Sequence, residues 1–239
     1  MRSGAVTRGA ERDNLAGVTD ERLKRVSLML AVASVLCGGM AISRALYSGG
    51  GTYLFLGWNL VLAWVPLALS MALIGGWAKG RLGRWLLVGT WFLFFPNAPY
   101  MVTDLIHLRP RAPVPLWFDA VMIFCFAMTA LCLAFVSLFV VHRVVEQRRG
   151  RAVGWSFVGL ISLFTGFGVY LGRFQRWNSW DPMVRPGAIV ADLAGRVLSP
   201  PSHPRTLAVT FVVAAMFGTA YLVLFTLAAL RSADSDARF

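Results

Sequence analysis

The sequence predicts an all-α integral membrane protein. The expected architecture is a bundle of six transmembrane helices with both termini cytoplasmic (N-in/C-in) and a short interfacial helix in the last outer loop. Three observations carry that expectation. Hydrophobic residues make up 57% of the chain and charged residues only 14%, against roughly 45–50% and about 25% in soluble domains. The apolar residues fall in six runs, at about 26–47, 53–78, 82–100, 114–141, 153–173 and 206–230, each near or above the ~20 residues that cross a bilayer as a helix. Strands are a poor alternative, because an open sheet edge in lipid leaves backbone groups unpaired. The third observation is where the cations lie.

The net charge of +12 comes from Lys and Arg gathered between the apolar runs, with no stripe or motif that would read nucleic acid. Membrane orientation explains the pattern better. The N-terminal segment holds six cations, the loop near 79–84 holds Lys79, Arg81 and Arg84, and the loop at 142–152 holds Arg143, Arg148, Arg149 and Arg151. Arg231 and Arg238 add to the same side, and most cations of the other side fall in one long loop, where the orientation rule is weak. The chain divides into a mobile basic segment at 1–25, a transmembrane domain at 26–230 and a tail at 231–239. Cys37, Cys125 and Cys132 lie inside apolar runs and read as small buried hydrophobes, not as a disulfide or zinc framework. The first run is longer than a signal-peptide core and lacks a convincing cleavage site.

Taken in order, Thr19 is placed to cap the first helix, with Asp20 and Glu21 in its first turn. The second helix enters at the outer face with Tyr53 and Trp58, carries Asn59, and meets Pro66 at its middle, where a kink is expected. The third runs into Phe95-Pro-Asn-Ala-Pro-Tyr100. The prolines would free the carbonyls of Phe92 and Phe95, and Pro99 biases Ala98 away from helix. That break falls in the outer third of the membrane, where irregular backbone requires cover by protein or water. Thr103–Arg109 reads as a short interfacial helix that sets Asp104 and His107 on one face. Pro113 and Pro115 start the fourth helix, with Asp119 close behind, and its ~28 apolar residues require tilt or protrusion. His142 at its inner end reads as a solvated part of a basic anchor. The fifth helix carries Gly159, Gly166, Gly168 and Gly172, the last two spaced for close helix contact. It ends in Arg173, Arg176, Trp177, Asn178, Trp180 and Asp181. Residues 187–198 form an amphipathic surface helix with Ile189, Leu193 and Val197 on one side and an Asp192–Arg196 pair on another. Ser199–Pro204 then leads into a sixth helix that looks purely structural.

Polar side chains converge in this topology. Arg44, Asn59, Asn97, Asp104, His107, Asp119, Arg173, Arg176, Asn178 and Asp181 come from different segments yet all fall near the outer face. A charge within a membrane helix costs roughly 2.5–3.5 kcal/mol, so such groups are paired and often functional. Asp119 is the clearest case, with Arg173 or Arg176 as its expected partner. In the outer segments eight arginines (44, 109, 111, 173, 176, 185, 196 and 205) face only Asp104, Asp119, Asp181 and Asp192. A cationic pocket of guanidinium forks suits a phosphate or carboxylate, and at this depth an anionic lipid headgroup. The expected ligand contacts are Arg173, Arg176, Asp119, Asn97, Asn178, Asp181, Trp177 and Trp180. Asp104 and His107 are the acid–base candidates, the carboxylate fixing the imidazole tautomer. Asp104, His107, Asp119 and Asp181 offer a divalent-metal alternative, but no HExxH motif or cysteine cluster accompanies them, so no metal is assigned and any cofactor is unknown.

At Phe94–Tyr100, Thr103–Leu108 and Tyr170–Asp181 the chain resembles a family of bacterial predicted membrane proteins, domain of unknown function 1361. The resemblance covers roughly residues 30–230 and implies a multi-pass protein of the cytoplasmic (inner) membrane without an established activity. Three readings stand: a site that binds, or also processes, an anionic lipid-like ligand; a transporter or its accessory subunit; and a structural membrane partner whose Asp/Arg lattice only locks helices. The inner halves of the helices carry almost nothing polar, which weighs against transport. Expected partners are the lipid bilayer, an anionic lipid headgroup, and a second copy or another membrane protein.

Overall fold

The computed structural model describes residues 3–77, 80–177, 181–184, 187, 191, 194–196, 198 and 202–236. Helices α1 (Ser3–Ser48), α2 (Phe55–Ile74), α3 (Gly80–Phe94) and α4 (Asn97–Tyr100) lead into a 3₁₀ segment, Met101–His107. Then follow α5 (Leu116–Arg149), α6 (Arg151–Tyr170), a π-helical turn at Leu171–Gln175, α7 (Asp181–Val184) and α8 (Pro204–Asp236). No strand occurs among the described residues. Among the described residues, five helical stretches are long and apolar enough to cross a membrane: Glu21–Ser48, Phe55–Ile74, Leu116–Arg149, Arg151–Gln175 and Pro204–Ala228.

α5 is the centre. Over half of its apolar stretch (56%) is buried inside the protein, against 11% for that of α1. Its buried residues run from Asp119 through Phe126, Ala130 and Leu133 to Val141 and His142, while Trp117, Val121, Phe124 and Met128 form an exposed apolar stripe on the other side. Gly150, at φ 91°, ends α5 and starts α6 with a single intervening residue. That backbone is costly for side-chain-bearing residues, so glycine is the residue that folds α6 back beside α5.

Some boundaries depart from expectation. α1 begins at Ser3, which puts Thr19 inside a helix and not at its cap. Pro66 sits inside a helix that continues through it, its ring buried. The expected break at Pro96 occurs: α3 stops at Phe94 and Phe95–Pro96 form a turn. Ala98, however, returns to helix in α4. The break is satisfied and covered. Asn97 Nδ2 donates to the Phe94 carbonyl at 2.9 Å, and Phe95, Pro96, Ala98 and Pro99 are all buried. The cover is α6 and the turn that follows it: an added Cβ on Gly168 would lie 2.6 Å from the Pro96 ring, and one on Gly172 would lie 3.1 Å from that of Tyr100. The 168–172 glycine spacing therefore serves this contact.

His142 is not solvated. It is fully buried, its Nδ1 lies 2.9 Å from the Tyr221 hydroxyl, and the rings of Trp155, Tyr221 and Phe225 surround it. The hydrogen bond and the ring contacts replace the water it was expected to keep. Half of the expected surface helix at 187–198, including Ile189, Asp192, Leu193 and Val197, lies outside the described residues.

Candidate functional site

Two ionic assemblies lie at the end of the bundle where α1 finishes and α2 and α5 begin. The first is a buried ion pair. Arg44 Nε and Nη2 donate to the two carboxylate oxygens of Asp119 at 2.7 and 3.0 Å, and both side chains are almost wholly buried. A two-pronged guanidinium–carboxylate pair is the geometry that best offsets the loss of water around both charges. The expected partners, Arg173 and Arg176, are both engaged or placed elsewhere. Arg44 sits alone in an apolar run, as Asp119 does; that shared isolation was the available signal for the pairing. The Arg44 guanidinium also lies over the Tyr53 ring, 4.6 Å from its centroid, and that of Arg111 lies 5.6 Å from it.

The second assembly is organised by Arg173, which the π-helical turn after α6 carries inward. Single π turns are recurrent at functional sites because the extra residue re-aims a side chain. Arg173 Nε donates to Thr103 Oγ1 at 2.9 Å, Nη1 lies 2.8 Å from His107 Nε2, and Nη2 donates to Asp104 Oδ1. Its guanidinium stacks over Tyr100, 4.4 Å from the ring centroid. Asp104, 1% exposed, receives a second hydrogen bond on Oδ2 from Asn59 Nδ2 at 3.0 Å. A guanidinium can only donate, so His107 Nε2 accepts and its proton sits on Nδ1.

This arrangement differs from a carboxylate–imidazole dyad. His107 Nε2 and Asp104 Oδ1 are 4.0 Å apart, and both accept from Arg173. The imidazole is half-exposed and packs edge-on against Phe55, while its backbone carbonyl accepts from the Tyr53 hydroxyl at 3.0 Å. Tyr53 thus touches both assemblies. Tyr53, Asn59, Tyr100 and Thr103 complete a network in which every prong of Arg173 is used. Tyr53, Tyr100 and Thr103 were not among the expected site residues: Tyr53 marked only a membrane boundary, where tyrosines are common, and Tyr100 and Thr103 stood only within the motifs that carry the family resemblance.

The remaining expected site residues are dispersed. Asn97 is used on the backbone of the α3–α4 turn. Arg176 is exposed and takes a left-handed backbone (φ 59°), costly by about 1–2 kcal/mol for a residue with a side chain. The Trp177 amide behind it closes on the Leu171 carbonyl at 3.2 Å. Asp181 begins α7. Asn178 and Trp180 lie outside the described residues. Nearby, Arg196 donates to the Tyr170 hydroxyl at 2.8 Å and Arg205 lies over Phe174 at 4.1 Å. Among the described residues, no three His, Cys, Asp or Glu side chains gather as a metal site.

No curated protein and no solved structure matches the chain. The family model described as "Protein of unknown function (DUF1361)" matches residues 58–220. With that match spanning more than half of the sequence, and several apolar helices consistent with a membrane protein, the chain belongs to the DUF1361 family.

Proposed function

We propose that the protein is a six-crossing component of the bacterial cytoplasmic membrane with both termini inside. In this reading its outer face binds an anionic lipid-like ligand. The sixth crossing is the segment 80–107. Its start follows the inner end of α2, its Trp91 bonds to Ser137 in α5 at 2.8 Å, and its far end reaches Asn59 and Arg173. α3 alone has 15 residues, about 22 Å of helix, and the covered turn with the segments after it supplies the remaining length.

One observation carries the ligand reading. Asp104 and Asp119 are each already matched by a buried or nearly buried arginine, while Arg109, Arg111, Arg176 and Arg205 are exposed and in no ion pair among the described residues. The paired charges form a rigid floor and the exposed guanidiniums supply the anion contacts. Arg173 therefore belongs to the floor in this reading, and Arg176 remains a ligand contact. No acid–base step is assigned to Asp104 and His107.

A second reading has its own observation: all three prongs of Arg173 are satisfied within the protein, as a lattice that only locks helices requires. Native mass spectrometry of the full chain separates the two. On the ligand reading, an Arg176→Gln/Arg205→Gln variant keeps its fold and loses about tenfold in retained anionic lipid, as expected when charge-assisted contacts are removed. Unchanged lipid retention in that variant leaves the lattice alone.

A further inference from the structure

A cleft of about 320 Å³ opens between the outer end of α1 and the start of α5, lined by Ser43, Arg44, Tyr47, Val114, Pro115 and Phe118. That volume is at the lower end for ligand clefts. Its walls are overwhelmingly apolar, and the one charge among them, Arg44, is already paired with Asp119. Arg111 lies outside that lining but close to it: it is exposed, in no ion pair among the described residues, and its guanidinium is held over the Tyr53 ring, which the Arg44 guanidinium of the cleft also faces. A tight turn ties Arg111 to the wall: the Val114 amide donates to the Arg111 carbonyl at 3.1 Å, and Val114 is a buried residue of the cleft side. An apolar slot beginning at the membrane boundary, with an exposed guanidinium outside any ion pair three residues along the chain from its wall, is complementary to a molecule that joins a hydrocarbon tail to a phosphate.

We infer that this cleft is an anionic-phospholipid site, with one acyl chain along Tyr47, Val114 and Phe118 and the phosphate at Arg111. The inference rests on the outer face being lipid-binding and places that ligand between α1 and the 111–115 turn. α1 lies outside the stretch matched by the family model, so half of the slot comes from a part of this chain that the model does not cover.

The test uses full-length protein in mild detergent, titrated with phosphatidylglycerol and phosphatidylcholine and read by native mass spectrometry. Ser43→Trp fills the slot from an exposed position, and Arg111→Gln removes the rim charge. Wild type should retain phosphatidylglycerol over phosphatidylcholine. Arg111→Gln should reduce that preference about five- to tenfold, and Ser43→Trp should lower retention of both lipids, each variant remaining monodisperse. Retention unaffected by both substitutions, but lost in Arg176→Gln/Arg205→Gln, overturns this site and leaves the general reading intact. No retained lipid in wild type overturns both. A change of oligomeric state in Ser43→Trp without change in lipid retention assigns the cleft to a second copy instead and overturns the inference.

Discussion

Asp119 accepts both of its hydrogen bonds from a guanidinium 75 positions earlier in the chain, so its charge depends on α1 reaching the same depth as the start of α5. Removing either partner leaves the other buried and unmatched. Asp119→Ala should cost about 3–5 kcal/mol, whereas Arg44→Met/Asp119→Leu, which removes both charges, should recover most of that. Unfolding titrations of the three proteins read the difference, and equal losses in the single and double variants would contradict the account. Arg173 calls for a different substitution. Lysine keeps the charge but cannot reach Thr103, His107 and Asp104 at once, so Arg173→Lys should destabilise by about 2 kcal/mol or more. The sequence made the presence of these charges legible, because each stands in an apolar context. Their pairing was less legible: the isolation of Arg44 and Asp119 in apolar runs was a signal, but Arg44, Arg173 and Arg176 all satisfied the same depth criterion, and packing chose among them.

Between elements, the glycines of α6 do unequal work. A Cβ on Gly166 would collide with the Thr210 carbonyl of α8, a clash with backbone, whereas one on Gly159 would meet nothing within 4 Å. Gly166→Ala should therefore force α6 and α8 apart at a cost of about 3 kcal/mol, while Gly159→Ala should be neutral or slightly stabilising through helix propensity. Thermal unfolding of both variants checks this; similar behaviour would mean the α6–α8 contact is not as close as described. The helices themselves were readable from apolar run length, and the Pro96 break from proline chemistry. What was not readable is that the break is short and still helical, because its cover comes from Gly168 and Gly172, some seventy residues on. His142 was misplaced for a related reason. Its neighbours in sequence are polar, but those in space are Trp155, Tyr221 and Phe225.

At the scale of the molecule, five stretches among the described residues satisfy the length and composition of a membrane crossing, and the proposed sixth is assembled from α3, the turn and α4. That segment decides which ends of the helices share a side. With it as a crossing, the arginine-rich face and the Arg111 cleft share one side of the membrane, and Arg148 and Arg149 share the other with both termini, the side proposed above to be cytoplasmic. Without it, the segments after α3 would reverse, and Asp119 and Asp104 would lie at the membrane face opposite Arg44 and Asn59, the residues to which they are bonded. The basic loops carried this expectation in the sequence through the distribution of Lys and Arg; the functional reading depends on it entirely.

The most direct test replaces Cys37, Cys125 and Cys132 and introduces single cysteines at positions 107, 176 and 148, labelled in intact cells with a membrane-impermeant maleimide. The account predicts labelling of positions 107 and 176 without permeabilisation and of position 148 only after it. Labelling of 107 and 176 from opposite sides, or of either only after permeabilisation, would contradict it.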